Sequence, residues 1–534
     1  MRSRHGGVAL IFALAMPPMT LMAICGLDLQ HASSMRRALQ DSLDAATLAA
    51  ARSSETTDAG VRRVGLASLR SGLAQFPQVE LDEAASRTNF DLNDDGSVSS
   101  TAHARVDTFI AGSLLGDALD IGADSTVLRS GGKLEIALVI DNTGSMNSQG
   151  RLQAAQAAAV DLVEGLAAGN SASDTVRISL VPFSDTVRPN PGFGRQNNRS
   201  SASALGWVSQ ATNHTGSTGT TGLFSTGVNR FQLLDDMRIG WGGCVESRPY
   251  PYDVRDTAPV NSNQATMFVP YFNPDTPDAD QINDNTWRRY DRYNDYVDEG
   301  TAGISGILNQ ILNRLTTALR LEAWSGLTRD TTKYTATRLR SGIGTNLGPN
   351  QGCALQPVVR LTNDFPAVIR SIESMQAGGT TNVPMGMVWG WHTLSPNAPF
   401  ADGVPYSDTR VRKIVILLTD GDNVNNTTNN PDNSVYTGVG FIWQQRLGSD
   451  MDVASSAQRR GDRLDERFSE LCTNMRNQGV TIYTIGVQVS SQSQRLLSRC
   501  ATSDDQFFNV SNSAGISAAF AQIAGSIDRI RISH

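Results

Sequence analysis

The chain has 534 residues, 18% of them charged and 40% hydrophobic, and a net charge of −7. It is long enough for two to four folded domains. The mild charge, without a basic stripe or aromatic–basic interleaving, argues against a nucleic-acid partner. No Cys-x-x-Cys occurs and the six histidines are scattered, which argues against a zinc or dithiol redox centre.

At the amino terminus Arg2, Arg4 and His5 precede an uncharged stretch over 6–27, which ends at Asp28. That length matches the ~20 residues needed to cross a bilayer core. Pro17 and Pro18 are expected to kink such a span, which membrane helices tolerate. A cleaved signal peptide is the competing reading. No small-x-small site follows the run, which is long for a signal sequence, and Ile24 before Cys25 makes a poor lipoprotein site. The expectation is therefore an uncleaved, single-pass anchor in the inner (cytoplasmic) membrane. Arg36 and Arg37 downstream leave the positive-inside count undecided.

The anchor runs on into Met35, Leu39, Leu43, Ala46 and Ala50, a stripe at helical spacing that ends near Arg52. It can pack on its own domain or on a partner helix. Segment 1–52 resembles the amino terminus of TadG-like proteins, which accompany Tad/Flp pilus machinery in bacterial envelopes. The resemblance implies envelope or pilus components as partners. Gly6 and Gly7 are followed by no acidic residue before Asp28, so prepilin processing is not expected.

Residues 53–130 mix a short helix with alternating segments such as Ser97 to Val106, and read as a small strand-rich α+β unit. Within it Asp91 to Gly96 begins like an EF-hand loop. The twelfth position is Ala102 where Glu is required, so a hairpin turn is the better reading.

The main domain starts at 131. Leu134 to Ile140 is a short run rich in branched residues, expected as a buried strand of an α/β sheet. Asp141, Thr143 and Ser145 follow at alternate positions and can present three hard oxygens to one point. Oxygen-only ligation suits Mg²⁺, Mn²⁺ or Ca²⁺. This D-x-T-x-S run resembles the metal-binding loop of von Willebrand factor A (VWA) domains, where the middle hydroxyl is usually Ser; Thr keeps the oxygen. A helix over Arg151 to Leu166 and a strand over Thr175 to Phe183 complete a βαβ unit, hence a parallel sheet.

The pattern then breaks over 188–354, which is rich in Asn, Gly, Ser, Thr and Pro and too long for a bare loop. An inserted subdomain is expected, with a helical patch over Gly303 to Trp324. Phe268 to Asp275 resembles TadG-like chains, as does Gly390 to Pro396 further on. The VWA domain, in two parts (131–187 and 355–534), resumes with a helix over Phe365 to Met375 and the turn Gly378 to Asn382. In VWA domains a G-x-T-N turn gives a further hydroxyl to the metal, here Thr381, with Thr380 as fallback. Ile414 to Leu418 is a strongly apolar strand, followed by Thr419-Asp420-Gly421, the T-D-G of VWA domains. Asp141 and Asp420 thus each follow a buried parallel strand, at the sheet edge where open α/β folds bind ligands. A helix through Leu464, Phe468 and Leu471, strands Val480 to Val487 and Phe507 to Val510, and a helix from Ala514 to Ile530 close the fold.

The expected class is α/β with a doubly wound, mostly parallel sheet of the Rossmann-like VWA type. The resemblance implies a divalent cation, Mg²⁺ first with Mn²⁺ or Ca²⁺ as alternatives, held by Asp141, Thr143, Ser145, Thr381 and Asp420. A carboxylate from a protein partner would fill its open position, in pilus assembly or adhesion. A minor pilus subunit packed through its amino-terminal helix is the alternative. A metal-dependent hydrolase is disfavoured, because no Gly-x-Ser-x-Gly elbow or P-loop occurs. Cys244, Cys353, Cys472 and Cys500 form an even set that allows three pairings. Cys244–Cys353 with Cys472–Cys500 is the local choice. Such bonds persist outside the cytoplasm and favour placing the carboxyl-terminal bulk in the periplasm or cell exterior.

Overall fold

A computed structural model describes residues 6–53, 55, 57–93, 97–108, 118–128, 133–168, 176–195, 197–211, 222–224, 227–277, 293–298, 327–408 and 410–532, without the side chains of 6–11, 13, 21, 23–25 and 528–532. The helical patch expected over 303–324 and the tip of the 91–96 turn lie outside the described residues. The chain divides into two compact units, 1–132 with 527–534, and 133–526.

In the first unit α1 (Gly6–Arg52) runs unbroken through Pro17 and Pro18. It is followed by α2 (Asp58–Leu73) and the strands β1 (Val79–Leu81), β2 (Asn89–Leu92), β3 (Ser97–Asp107) and β4 (Ala118–Leu128). The sheet is antiparallel. β1 and β2 both pair with β3, and β4 pairs with β3 along 11 residue pairs. Burial on β3 alternates, with Val98, Ala102, Ala104 and Val106 inward, the period of a sheet with one face on a core. Leu39, Leu43, Ala46 and Ala50 of α1 join that core with Val61 and Leu69 of α2 and Phe90. The amino-terminal stripe is therefore spent within its own unit. Further up the same helix Phe12, Leu14, Met16, Met19, Met22, Leu27 and Leu29 are exposed. Among the described residues no helix is long and apolar enough to cross a membrane, so the span expected over 6–27 is not shown; half of its residues have no described side chain.

The second unit is built on a six-stranded sheet. Its strands are β5 (Lys133–Asp141), β6 (Val176–Phe183), β9 (Val359–Thr362), β10 (Val411–Thr419), β11 (Thr481–Val487) and β12 (Phe507–Val510), in the order β12-β11-β10-β5-β6-β9. A two-residue ladder, β7 (Val245–Glu246) with β8 (Val269–Pro270), lies apart from it. All pairings in the large sheet are parallel except β6 with β9 at the edge. Ala137, Val139, Val181, Phe183, Val415 and Leu417 face one core. Their neighbours Ile136, Leu138 and Ile140 are equally buried. Both faces are thus covered, as a parallel sheet requires.

The connecting helices are α3 (Arg151–Ala168), α4 (Asn198–Leu205), α5 (Arg230–Met237), α6 (Phe365–Glu373), α7 (Val383–Leu394), α8 (Ala457–Asn477), α9 (Ser491–Cys500) and α10 (Ala514–Ile532). Every residue of α7 is buried. Gly386 and Gly390 let it approach the sheet, since a Cβ there would lie 2.4 Å from Phe183 and 2.4 Å from Val139. Its outer side meets the insertion, where the Trp389 and Phe268 rings are 4.8 Å apart. The described part of 188–354 packs within the same compact unit as the sheet. Trp207, Phe231, Trp241, Tyr271 and Tyr334 belong to the same core as Val139 and Val415. Dispersed aromatics carry large apolar areas, so a chain with little regular structure can still bury enough surface to dock.

Both local disulfides are formed, Cys244–Cys353 and Cys472–Cys500. With sequence separations of 109 and 28, chain entropy gives about 5 and about 3.5 kcal/mol respectively. Cys244→Ser/Cys353→Ser should therefore lower the urea midpoint more than Cys472→Ser/Cys500→Ser. Equal midpoints would contradict this ranking.

Candidate metal centre

After β5 the chain goes to β6 on one side, and after β10 it goes to β11 on the other. The gap between the carboxyl ends of β5 and β10 is thus the topological switch point of the sheet, where open α/β folds place ligands. Asp141 ends β5 and Asp420 directly follows β10.

Local hydrogen bonds shape the first loop. The Asn142 amide extends the ladder to the Phe183 carbonyl at 2.9 Å. The Thr143 amide donates to Asp141 Oδ1 at 2.8 Å, and Thr419 Oγ1 donates to Asp141 Oδ2 at 2.7 Å. The loop docks on the Gly378–Asn382 turn. The Gly144 amide reaches the Gly379 carbonyl at 3.1 Å, and the Gly378 amide reaches the Asn142 carbonyl at 2.8 Å. Gly379 has φ +84, and a Cβ there would fall 2.9 Å from Ser184 Oγ, so the turn needs glycine. The Thr381 carbonyl accepts from the Val424 amide at 2.9 Å, which ties this turn to the segment after Asp420.

The side chains converge. Thr143 Oγ1 and Ser145 Oγ lie 2.9 Å apart, and Ser145 Oγ donates to Asp420 Oδ1 at 2.6 Å. A Cβ placed on Gly421 would be 3.5 Å from Thr381 Oγ1 and 3.8 Å from Ser145 Oγ, so the third turn meets the same spot. All five residues picked from the sequence thus share one cleft, with Thr381 and not Thr380 placed beside Gly421. Asp141, Thr143, Thr381 and Asp420 are each no more than 5% exposed. Burial, with the Asp420 charge adding to it, lifts the Asp141 carboxyl to about 6 against the hydrogen bonds from Thr143 and Thr419. Two neighbouring buried carboxylates favour a counter-charge.

The donor set fits a hard cation. It is all oxygen, carboxylate and hydroxyl, the ligand type of Mg²⁺, Mn²⁺ and Ca²⁺. Among the described residues no group of three or more His, Cys, Asp or Glu could hold a metal. Any cation here would depend on the hydroxyls.

Three neighbours were not legible as parts of the site. Arg151, the first residue of α3, places Nη1 2.6 Å from Asp420 Oδ2. Its other terminal nitrogen reaches Gln488 Oε1. Thr419 was read only as part of a motif, although its hydroxyl orients Asp141. A groove of about 450 Å³ lies alongside, lined by Asn142, Ser184, Gln376 and Gly379 together with Asn346 and Gln351 of the insertion. No periodicity reports contacts across 269 or 337 residues of chain.

Residues 135–232 match the von Willebrand factor type A domain, and residues 6–53 match the Tad family, described as Flp pilus-assembly TadE/G-like. The chain thus carries a TadE/G-like amino-terminal segment and a VWA-type domain. No curated protein matches it. Among solved structures, the VWA protein is similar to the pilus adhesin SpaC from Lactobacillus rhamnosus GG (10% identity, 84% of this chain and 34% of that one, TM-score 0.31). It is also similar to the vWF domain of the type V pili tip protein Mfa5 from Porphyromonas gingivalis (12%, 74% and 95%, 0.33). A third is the PilB minor pilin from Streptococcus sanguinis (10%, 84% and 78%, 0.30). The chain thus spans about a third of the length of SpaC. The VWA match covers the first metal-loop residues Asp141, Thr143 and Ser145 and ends inside the insertion.

Proposed function

We propose that this VWA protein binds an acidic protein partner through a divalent cation held over the switch point of its sheet, in pilus assembly or adhesion at the bacterial envelope. The observation that carries the reading is the convergence of Asp141, Thr143, Ser145, Thr381 and Asp420 from three separate turns. The cation would supply a Lewis-acidic position. The protein's own part is to hold hydroxyls and carboxylates in place and to keep the cleft partly dry, where a charge-assisted contact is strong. The amide-rich groove beside Asn142 gives the partner's main chain a surface to lie on.

The Tad match and the exposed apolar side chains between Phe12 and Leu29 support an amino-terminal membrane anchor, since large exposed apolar surfaces mark membrane or protein contacts. The two disulfides support an oxidising location for the VWA domain. The alternative, a subunit packed through its amino-terminal helix, has less to draw on, because the stripe from Leu39 to Ala50 is already covered.

The test is calorimetric titration of MgCl₂ into the metal-free full chain, followed by capture of envelope proteins with Mg²⁺ or EDTA. One site per chain and capture lost in EDTA are expected. A silent titration removes the cation, and capture indifferent to EDTA removes its role in partner binding.

A further inference from the structure

Arg151 divides Asp420 between two partners. Oδ1 accepts from Ser145 Oγ at 2.6 Å, and Oδ2 accepts from Arg151 Nη1 at 2.6 Å. The Asp420 side chain is fully buried and that of Arg151 is 15% exposed. The guanidinium is held from behind as well. Gln488 takes its second nitrogen and is itself fixed by a backbone bond to the Val510 carbonyl at 2.8 Å and an amide bond to the Ser511 carbonyl at 3.0 Å. Asp422, two residues past Asp420, makes its side-chain bonds elsewhere, where Oδ1 accepts from Ser490 Oγ at 2.7 Å and from Ser493. Counted over Asp141, Asp420 and Arg151, the cleft carries −1 and not −2.

A cation entering beside Ser145 meets a carboxylate already neutralised and a positive charge that cannot readily leave. We propose that Arg151 is a tethered competitor for the cation: it holds Asp420 paired when the cleft is empty and raises the Mg²⁺ concentration at which the cleft loads. This rests on the cation reading above. An arginine present only to support α3 would have no reason to oppose the metal, and its removal would weaken Mg²⁺ binding or leave it unchanged.

The experiment is calorimetry of MgCl₂ into the metal-free full chain for wild type, Arg151→Gln, Arg151→Lys and Gln488→Gly. Removing one like charge next to the bound ion should tighten Mg²⁺ by about tenfold in Arg151→Gln. Arg151→Lys keeps the charge and should stay within about threefold of wild type. The metal-free Arg151→Gln protein should melt below wild type and recover more with Mg²⁺. If Arg151→Gln fails to fold, Gln488→Gly carries the test. Glycine suits the positive φ of 55 at that position, and the loosened tether should tighten Mg²⁺ about threefold. Wild-type binding with equal or weaker binding in Arg151→Gln, or in Gln488→Gly where it is the surrogate, overturns the role of Arg151 and leaves the cation reading standing. No binding by wild type or either variant overturns both.

Discussion

Asp141→Ala should abolish Mg²⁺ binding while leaving the fold intact. A bound cation stabilises the folded state by RT ln(1 + [L]/Kd), about 2.7 kcal/mol at a hundred times Kd. The wild-type melting temperature should therefore climb with MgCl₂, and that of the variant should not. Even outer-shell substitutions at metal sites cost about 10–100-fold in affinity, so loss of a carboxylate ligand should exceed about 100-fold. The metal-free variant should melt close to wild type. Burial already disfavours the charged form of Asp141, and its removal relieves Asp420. A variant that collapses without metal would mark Asp141 as a structural carboxylate. A variant that still responds to Mg²⁺ would move the ion elsewhere.

The second large effect is structural and lies at Glu246. This carboxylate is 1% exposed. It receives Arg230 and the Tyr436 hydroxyl on one oxygen and Arg446 on the other. Both guanidiniums are nearly buried, at 2% and 5% side-chain exposure. Breaking a buried pair by removing one partner costs about 3–5 kcal/mol, because the other charge is left uncompensated. Glu246→Ala leaves two such charges. Its unfolding free energy, read from urea titration, should fall by at least that much, a large part of the 5–15 kcal/mol typical of a domain. Glu55→Ala is the control. Its partner Arg63 is 72% exposed, and exposed pairs contribute about 0–1 kcal/mol. Equal effects from the two substitutions would mean that water reaches Glu246.

What could be read from the sequence was whatever local chemistry writes on neighbouring residues. The branched run before Asp141 and the one before Thr419 had to be strands buried on both faces, and they pair in register from Val411 with Lys133 to Leu418 with Ile140. Thr143 and Ser145 do fall beside each other near Asp141, but a 3-10 turn that starts at Gly144, not extended alternation, brings Ser145 there. The antiparallel edge strand Val359–Thr362 was missed because four mixed residues carry little periodic signal; helix α9 was missed although Leu497 and Cys500 mark one buried face of it. Helix α7 was also missed. Its segment, Val383 to Leu394, is apolar all round, so no moment marks it as a helix; only the docked aromatics of the insertion explain why no polar face is needed. The length and composition of 188–354 suggested an inserted subdomain, without saying what it packs on. Trp207, Trp241 and Phe268 serve the sheet's own core, a long-range choice that no local pattern records.

Cys244 and Cys353 close a ring of backbone across 109 positions, on the order of 370 Å of extended chain. Pulling on the termini cannot draw that length out, because tension bypasses it through one covalent crosslink. A cut within the ring would leave both fragments joined. In the adhesive role proposed above, the part of the cover over α7 that lies inside the ring, Phe268 included, is thereby kept out of the line of force.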